Sequence, residues 1–137
     1  MKVVLDTSTL IACFARKSQY RPIYSSLLEG KYQLAVSNDI LSEYAEIIER
    51  QTGNSAVSHN VLELLVILPN VEKQKIYYNW NLITHDPDDN KFVDCYIAAG
   101  AEYLVSNDHH FDVLSPDDFP PVRVVSVEAF LEIIQNV

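Results

Sequence analysis

Glycine is scarce in this chain: Gly30, Gly53 and Gly100 are the only three, and no Gly-rich loop follows any apolar run. That excludes the P-loop and Rossmann fingerprints, which need several glycines to bring backbone N–H groups against phosphates. Long hydrophobic runs are missing too. The longest, Leu64-Leu65-Val66-Ile67-Leu68, falls far short of the ~20 apolar residues that cross a bilayer. The opening Met1-Lys2-Val3-Val4-Leu5-Asp6 reaches a carboxylate too early for a signal-peptide core, so the expected location is cytoplasmic, with no membrane partner. Cys13 and Cys95 are the only two cysteines, without Cys-x-x-Cys spacing, and read as free buried thiols. His59, His85, His109 and His110 lack the i, i+4 helical pairing of a metalloprotease. Basic residues are few. Ten Lys and Arg face nineteen Asp and Glu, a net charge of −9, which argues against simple electrostatic attraction to nucleic acid.

What remains is ordinary globular material, 48% hydrophobic and 21% charged over 137 residues, enough for a single domain spanning 1–137 with one core. Residues 2–5 read as a buried strand and 7–15 as a helix. A second helix over 20–29 tolerates Pro22 in its first turn and stops at Gly30. Leu34-Ala35-Val36 is a strand. Ser37 or Asn38 caps a helix to about Gln51, with Ile40, Leu41, Tyr44, Ile47 and Ile48 as its apolar stripe. A helix over 55–68 ends at Pro69. The stretch 71–84 is expected to hold a short strand around Leu82-Ile83. Residues 85–89 form a turn, 90–101 a helix, 103–105 a strand, 108–114 a short turn or helix, 115–121 a loop, 123–125 a strand and 127–135 a closing helix. Short strands alternating with helices imply an α/β fold with a mostly parallel central sheet and helices on both faces.

Four acidic residues sit where charge is locally costly. Asp6 closes Val3-Val4-Leu5, and Asp108 follows Tyr103-Leu104-Val105 by way of Ser106-Asn107. Glu43 lies beside Ile40 and Ile47 on its helix face, and Asp94 beside Ile97 and Ala98. Each has an ordinary reading: helix N-cap for Asp6, snorkelling boundary glutamate for Glu43, first-turn acid for Asp94, polar turn for Asp108. Together, on a sheet whose functional residues gather beyond the carboxyl ends of the strands, they point to carboxylates converging on a divalent cation such as Mg²⁺ or Mn²⁺. Such a cation can neutralise phosphate oxygens and generate hydroxide at neutral pH, the requirements of phosphodiester hydrolysis. Ser8, Ser106 and Asn107 supply neutral oxygens nearby.

Other acidic chemistries lose a required residue. Haloacid-dehalogenase-type phosphotransfer needs Asp-x-Asp after the first strand, and position 8 is Ser. A receiver domain needs an acidic pair at the end of the first strand and a Lys after a late one, whereas Leu5 precedes Asp6 and Ser106-Asn107 follow Val105.

The ordered segments Asp6-Thr7-Ser8, Val36-Ser37-Asn38-Asp39-Ile40-Leu41-Ser42-Glu43-Tyr44, Asp86-Pro87-Asp88-Asp89-Asn90-Lys91-Phe92-Val93-Asp94 and Leu104-Val105-Ser106-Asn107-Asp108 resemble the PIN-domain family of small ribonucleases. The branch they look most like is that of the VapC-like toxins of toxin–antitoxin pairs. The resemblance runs from about Lys2 to Val125. It implies a PIN-like three-layer α/β/α fold and Mg²⁺- or Mn²⁺-dependent endoribonuclease activity on an RNA substrate. It also implies a homodimer and a cognate antitoxin entering an acidic groove. By the same resemblance Glu43 matches the family's helical glutamate and Asp94 the acid that starts its later helix. Asp6, Glu43, Asp94 and Asp108 are then expected to be catalytic and metal-binding, with Asp112 as a lesser ligand. Asp86, Asp88 and Asp89 are expected to shape a turn, with lining the groove as the alternative. Arg16, Lys17 and Arg21 form the best basic stretch for phosphates, and Tyr20, Tyr24, Tyr77, Tyr78 and Trp80 are aromatics able to stack on bases. The alternative function is a non-catalytic assembly module of the same fold, whose acidic groove docks a basic protein segment.

Overall fold

Val3, Val4 and Leu5 have no solvent exposure, and neither do Leu104 and Val105. Strands covered on both faces need such uninterrupted apolar runs. These two are the central pair of a five-stranded sheet in a computed structural model that describes residues 1–137. In chain order the elements are β1 (Lys2–Leu5), α1 (Thr7–Phe14), α2 (Arg21–Leu28), β2 (Gln33–Val36), α3 (Asn38–Thr52), α4 (Ser55–Ile67), β3 (Val71–Lys73), α5 (Asn90–Ala99), β4 (Tyr103–Val105), β5 (Val124–Val125) and α6 (Val127–Gln135). Two short 3₁₀ turns, Pro87–Asp89 and His109–Val113, precede α5 and follow β4.

The sheet order is β3-β2-β1-β4-β5, and every pairing is parallel. With its helices it forms the expected three-layer α/β/α architecture. The chain builds outward from β1 through β2 to β3, then returns to the other side of β1 for β4 and β5. The direction of winding therefore reverses between β1 and β4. Open parallel sheets present a crevice at such a point, beyond the carboxyl ends of the strands. Leu5 lies in register with Val105, and the Asp6 N–H donates to the Val105 carbonyl at 3.2 Å. Asp6 and the residues after β4 are thus delivered to one place.

Helix ends follow local chemistry. Ser37 caps α3 by accepting from the Ile40 N–H at 3.3 Å, and Ser126 caps α6 through the Ala129 N–H at 3.0 Å. Gly53 and Gly100 end α3 and α5 in the left-handed conformation, at φ of 65° and 64°, which glycine adopts without steric cost. The apolar stripe of α3 turns Ile40, Tyr44 and Ile48 into the core. The buried Tyr44 hydroxyl donates to the Leu5 carbonyl at 2.6 Å, anchoring α3 at the residue before Asp6.

Two sequence expectations need correction. The strand placed at Leu82-Ile83 lies earlier, at Val71–Lys73, where it pairs with β2. Ile83 is buried for another reason: the Asn90 side-chain amide accepts from the Ile83 N–H and donates to its carbonyl, both at 2.9 Å. One side chain satisfies both backbone groups, as a neighbouring strand would have done. The second correction concerns Asp94. The helix α5 begins at Asn90 as expected, so Asp94 sits one turn in rather than in the first turn, and the residue preceding the helix is Asp89.

No helix is long and apolar enough to cross a membrane. Cys13 and Cys95 are free and buried, as expected, and burial pushes both thiols up to about 12.

Candidate functional site

Asp6 turns back after β1 to cap α1, its Oδ1 accepting from the Thr9 N–H at 2.8 Å. The capping reading is therefore correct, and it does not exhaust the residue. Asp6 is only 5% exposed, and its second oxygen accepts from the Ser106 hydroxyl. Burial pushes its carboxyl above the usual range, the Ser106 and Thr9 hydrogen bonds pull it back, and the charge of Asp108 adds to the rise. Asp6 is thus a buried acid in the field of a second acid. Divalent cations favour such a setting, with hard oxygen donors and uncompensated negative charge.

Asp108 leaves the end of β4 through Ser106 and Asn107. Its N–H donates to the Ser106 hydroxyl oxygen at 3.0 Å, so Ser106 ties the Asp6 carboxylate to the Asp108 main chain. Its carboxylate caps the following 3₁₀ turn by accepting from the His110 N–H at 2.9 Å, and it stays largely open to solvent.

Asp89 and Asp86 come to the same place from the other side. Asp89 Oδ2 lies 2.8 Å from His110 Nδ1, Asp86 Oδ2 lies 3.3 Å from it, and Asp108 Oδ1 lies 3.4 Å from it. Ligand atoms of Asp86, Asp89 and His110 lie within 4.8 Å of one another. Burial raises the Asp89 carboxyl, the His110 hydrogen bond lowers it, and the charges of Asp86 and Asp108 raise it again. The His110 imidazole is raised by its hydrogen bond to Asp89 and by the neighbouring carboxylates, against a smaller opposing effect of burial. The turn expected at 85–89 exists, and it carries two acids into the electrostatic field of Asp108.

Glu43 arrives from α3. One oxygen accepts from the Thr7 hydroxyl, which places it beside the residue after Asp6; the other pairs with Lys91 Nζ at 2.8 Å. Glu43 and Asp94 line one groove of about 450 Å³ with Asp39, Glu46, Asp88 and Lys91, and no hydrophobic residue borders it. Asp94 itself is 6% exposed and accepts from the Trp80 N–H at 3.0 Å. Burial raises its carboxyl and that hydrogen bond lowers it, with no contribution from another acid. Asp112 is exposed and pairs with His109 at 3.2 Å, bordering a depression that also includes Ser106 and Asp108.

The expected acids therefore fall into adjoining groups: Asp6 with Asp108, Glu43 with Asp94, and Asp112 at the rim. Sequence reasoning gave Asp86, Asp88 and Asp89 to a turn or to the groove lining, and missed that Asp86 and Asp89 gather around His110. The available signal was the helix boundary: with Asn90 as the first helical residue, Asp89 stands at the start of α5.

The basic and aromatic residues sort differently. Arg21 is committed to the Phe14 carbonyl and to the Tyr24 ring, 4.7 Å from its centroid, while Arg16 and Lys17 are exposed. Tyr24 is buried. Tyr78, Trp80 and Phe119 make an edge-to-face row with centroid spacings of 4.7 and 6.2 Å, and Tyr77 is 88% exposed beside it. Asn79 and Asn81, which flank Trp80, border the acidic groove.

A parallel sheet with carboxylates at its winding reversal defines a class of acidic-site α/β proteins. A sequence profile of the PIN domain matches residues 2–110, and the chain belongs to that family. Among curated proteins none matches it in sequence. Solved structures share the fold at low identity. The Rickettsia felis VapBC2 complex, described as bound to a DNA fragment from its promoter, superposes with a TM-score of 0.62 at 17% identity, covering 92% of this chain and 98% of that one. Mycobacterium tuberculosis VapC20, described as a sarcin-ricin loop cleaving toxin, gives 0.58 at 16% identity over 80% and 92%. A protein from Pyrobaculum aerophilum gives 0.62 at 15% identity and covers both chains completely.

Proposed function

We propose that this PIN-domain protein is a metal-dependent endoribonuclease that hydrolyses RNA phosphodiester bonds, and that it is the toxin of a toxin–antitoxin pair. The observation carrying this reading is the pairing of Asp6 and Asp108 through Ser106 at the reversal between β1 and β4. The toxin assignment draws on family membership and on the VapC proteins that share the fold.

In this reading Asp6, Asp108 and Asp89 hold Mg²⁺ or Mn²⁺ and Glu43 joins them from the adjoining groove, where Asp94 also lies, with Asp112 at the rim of the depression beside Asp108. When bound, the cation supplies hydroxide at neutral pH and neutralises charge on the phosphate oxygens. The chain's own residues do the rest. Ser106 fixes the Asp6 carboxylate, Thr7 orients Glu43, and the Asp6 cap on α1 keeps that helix from shifting. Trp80, Tyr78 and Phe119 offer faces on which unpaired bases stack, which needs no positive surface. A homodimer and a cognate antitoxin complete the assembly in a cytoplasmic setting.

One observation favours a second reading, a docking module for a basic segment: the groove holds five carboxylates, Asp39, Glu43, Glu46, Asp88 and Asp94, against one ammonium, Lys91. Cleavage of an end-labelled RNA pool with Mn²⁺, with EDTA and with Asp6→Asn separates the two. Cutting lost in both controls supports the nuclease; a folded protein that neither cuts RNA nor binds Mn²⁺ supports the docking module.

A further inference from the structure

Lys91 is the one basic side chain bordering the acidic groove. It sits on α5, two residues after Asp89, and reaches across to Glu43 on α3. Its Nζ lies 2.8 Å from Glu43 Oε1, and the two side chains are equally sheltered, each 22% exposed. The other Glu43 oxygen is taken by Thr7. Both oxygens of this carboxylate thus have a partner, one a neutral hydroxyl and the other a full positive charge.

A fixed structural ion pair would need only these two residues. The surroundings make this pair unusual. Asp39, Glu46, Asp88 and Asp94 border the same groove, so an ammonium that leaves Glu43 remains surrounded by negative charge. Glu43 also abuts Thr7, next to Asp6. A divalent cation recruited by Asp6 and Asp108 competes with Lys91 for the Glu43 carboxylate, because a carboxylate shared by two cations binds each less strongly. Lysine suits such an exchange: its charge is compact and its four-carbon stem is flexible.

We propose that Lys91 is an exchangeable counter-ion: it neutralises Glu43 until a divalent cation takes that carboxylate, and then contacts a nonbridging phosphate oxygen of the RNA. This rests on the nuclease reading above. It also bears on how an acidic groove accepts a polyanion. The freed ammonium gives the phosphate one positive partner at the place where the cation enters.

The test is calorimetric titration of EDTA-stripped protein with Mn²⁺, for the wild type, Lys91→Met, Lys91→Arg and the Glu43→Gln/Lys91→Met double variant. Met keeps the stem and removes the charge. Lys91→Met is expected to bind Mn²⁺ roughly tenfold more tightly, a change of the size produced by altering the partner of a metal ligand. The double variant loses that gain. With Mn²⁺ present, Lys91→Met is expected to bind the RNA pool more weakly, with the salt slope reduced by about 0.7, the value for one phosphate contact on a single strand; Lys91→Arg restores both. A purely structural pair predicts the opposite sign for the metal, because losing it would loosen the site. Mn²⁺ affinity unchanged or weakened in Lys91→Met overturns the exchange, and an unchanged salt slope overturns the phosphate contact. Absence of Mn²⁺ binding by the folded wild type removes the nuclease reading itself, a result distinct from either.

Discussion

The Ser106 hydroxyl donates to the carboxylate of Asp6, one hundred positions earlier in the chain. The same oxygen accepts from the Asp108 N–H, so a neutral side chain ties the Asp6 carboxylate to the main chain of Asp108 at the central strands' carboxyl ends without cancelling either charge. Catalytic sites often store uncompensated charge in this way.

Asp6→Asn tests whether that charge serves function at the expense of stability. The folded-state carboxyl is raised, so the folded protein binds more protons than the unfolded chain as pH rises from the ordinary carboxylate range to the folded value. Stability therefore falls across that window and stays lower at neutral pH. Asn carries no charge to bury, and the variant is expected to melt roughly 3 °C higher at pH 7 without metal, with the advantage vanishing near pH 3. Differential scanning calorimetry across pH measures it. Cleavage should fall by about 10² or more; a stabilised variant with full activity would remove Asp6 from the chemistry.

Asp89→Asn and Asp94→Asn differ in what they disturb. Asp89 shares the field of Asp86 and Asp108, whereas Asp94 meets only the Trp80 N–H among its hydrogen-bond partners. Asp89→Asn is expected to weaken Mn²⁺ binding at least tenfold. Asp94→Asn is expected to spare most of it while loosening the segment around Trp80, seen as altered tryptophan fluorescence. Equal losses of metal affinity would return Asp94 to the ligand set.

His110 adds a pH dependence. Its imidazole is raised by Asp89, Asp108 and Asp86, so it stays protonated above the ordinary histidine range and competes with a cation for the same carboxylates. Mn²⁺ affinity is therefore expected to climb as pH passes upward through the raised value. In His110→Gln the climb should flatten. Calorimetric titrations between pH 6 and pH 8.5 would show both curves, and parallel curves would clear His110 of any competition.

Asn90→Ala tests the structural support of the groove. It strips the buried Ile83 N–H and carbonyl of their partner, which costs on the order of 2–4 kcal/mol. Urea unfolding is expected to show that loss, and hydrogen exchange to show faster exchange at Ile83. Protection unchanged at Ile83 would mean that water replaces the amide without penalty.

Much of this was legible in the sequence. The order of strands and helices, the caps at Ser37 and Asp6 and the buried cysteines follow from apolar period, capping chemistry and composition, all local properties. The strand expected at Leu82-Ile83 failed because Asn90, seven residues away, does the work of a neighbouring strand, and no local pattern announces that.

What the sequence determined by itself is four of the five strands, the acids near their ends and membership of the PIN family, because each is written in short, ordered segments. The tertiary structure decided which acids share a field. Asp89 joins Asp108 through His110, Ser106 ties Asp6 to Asp108, and Lys91 occupies Glu43. These relationships span 2 to 100 positions and depend on where a parallel sheet reverses direction. Electrostatic coupling follows distance in space, and in this chain the winding of the sheet sets that distance.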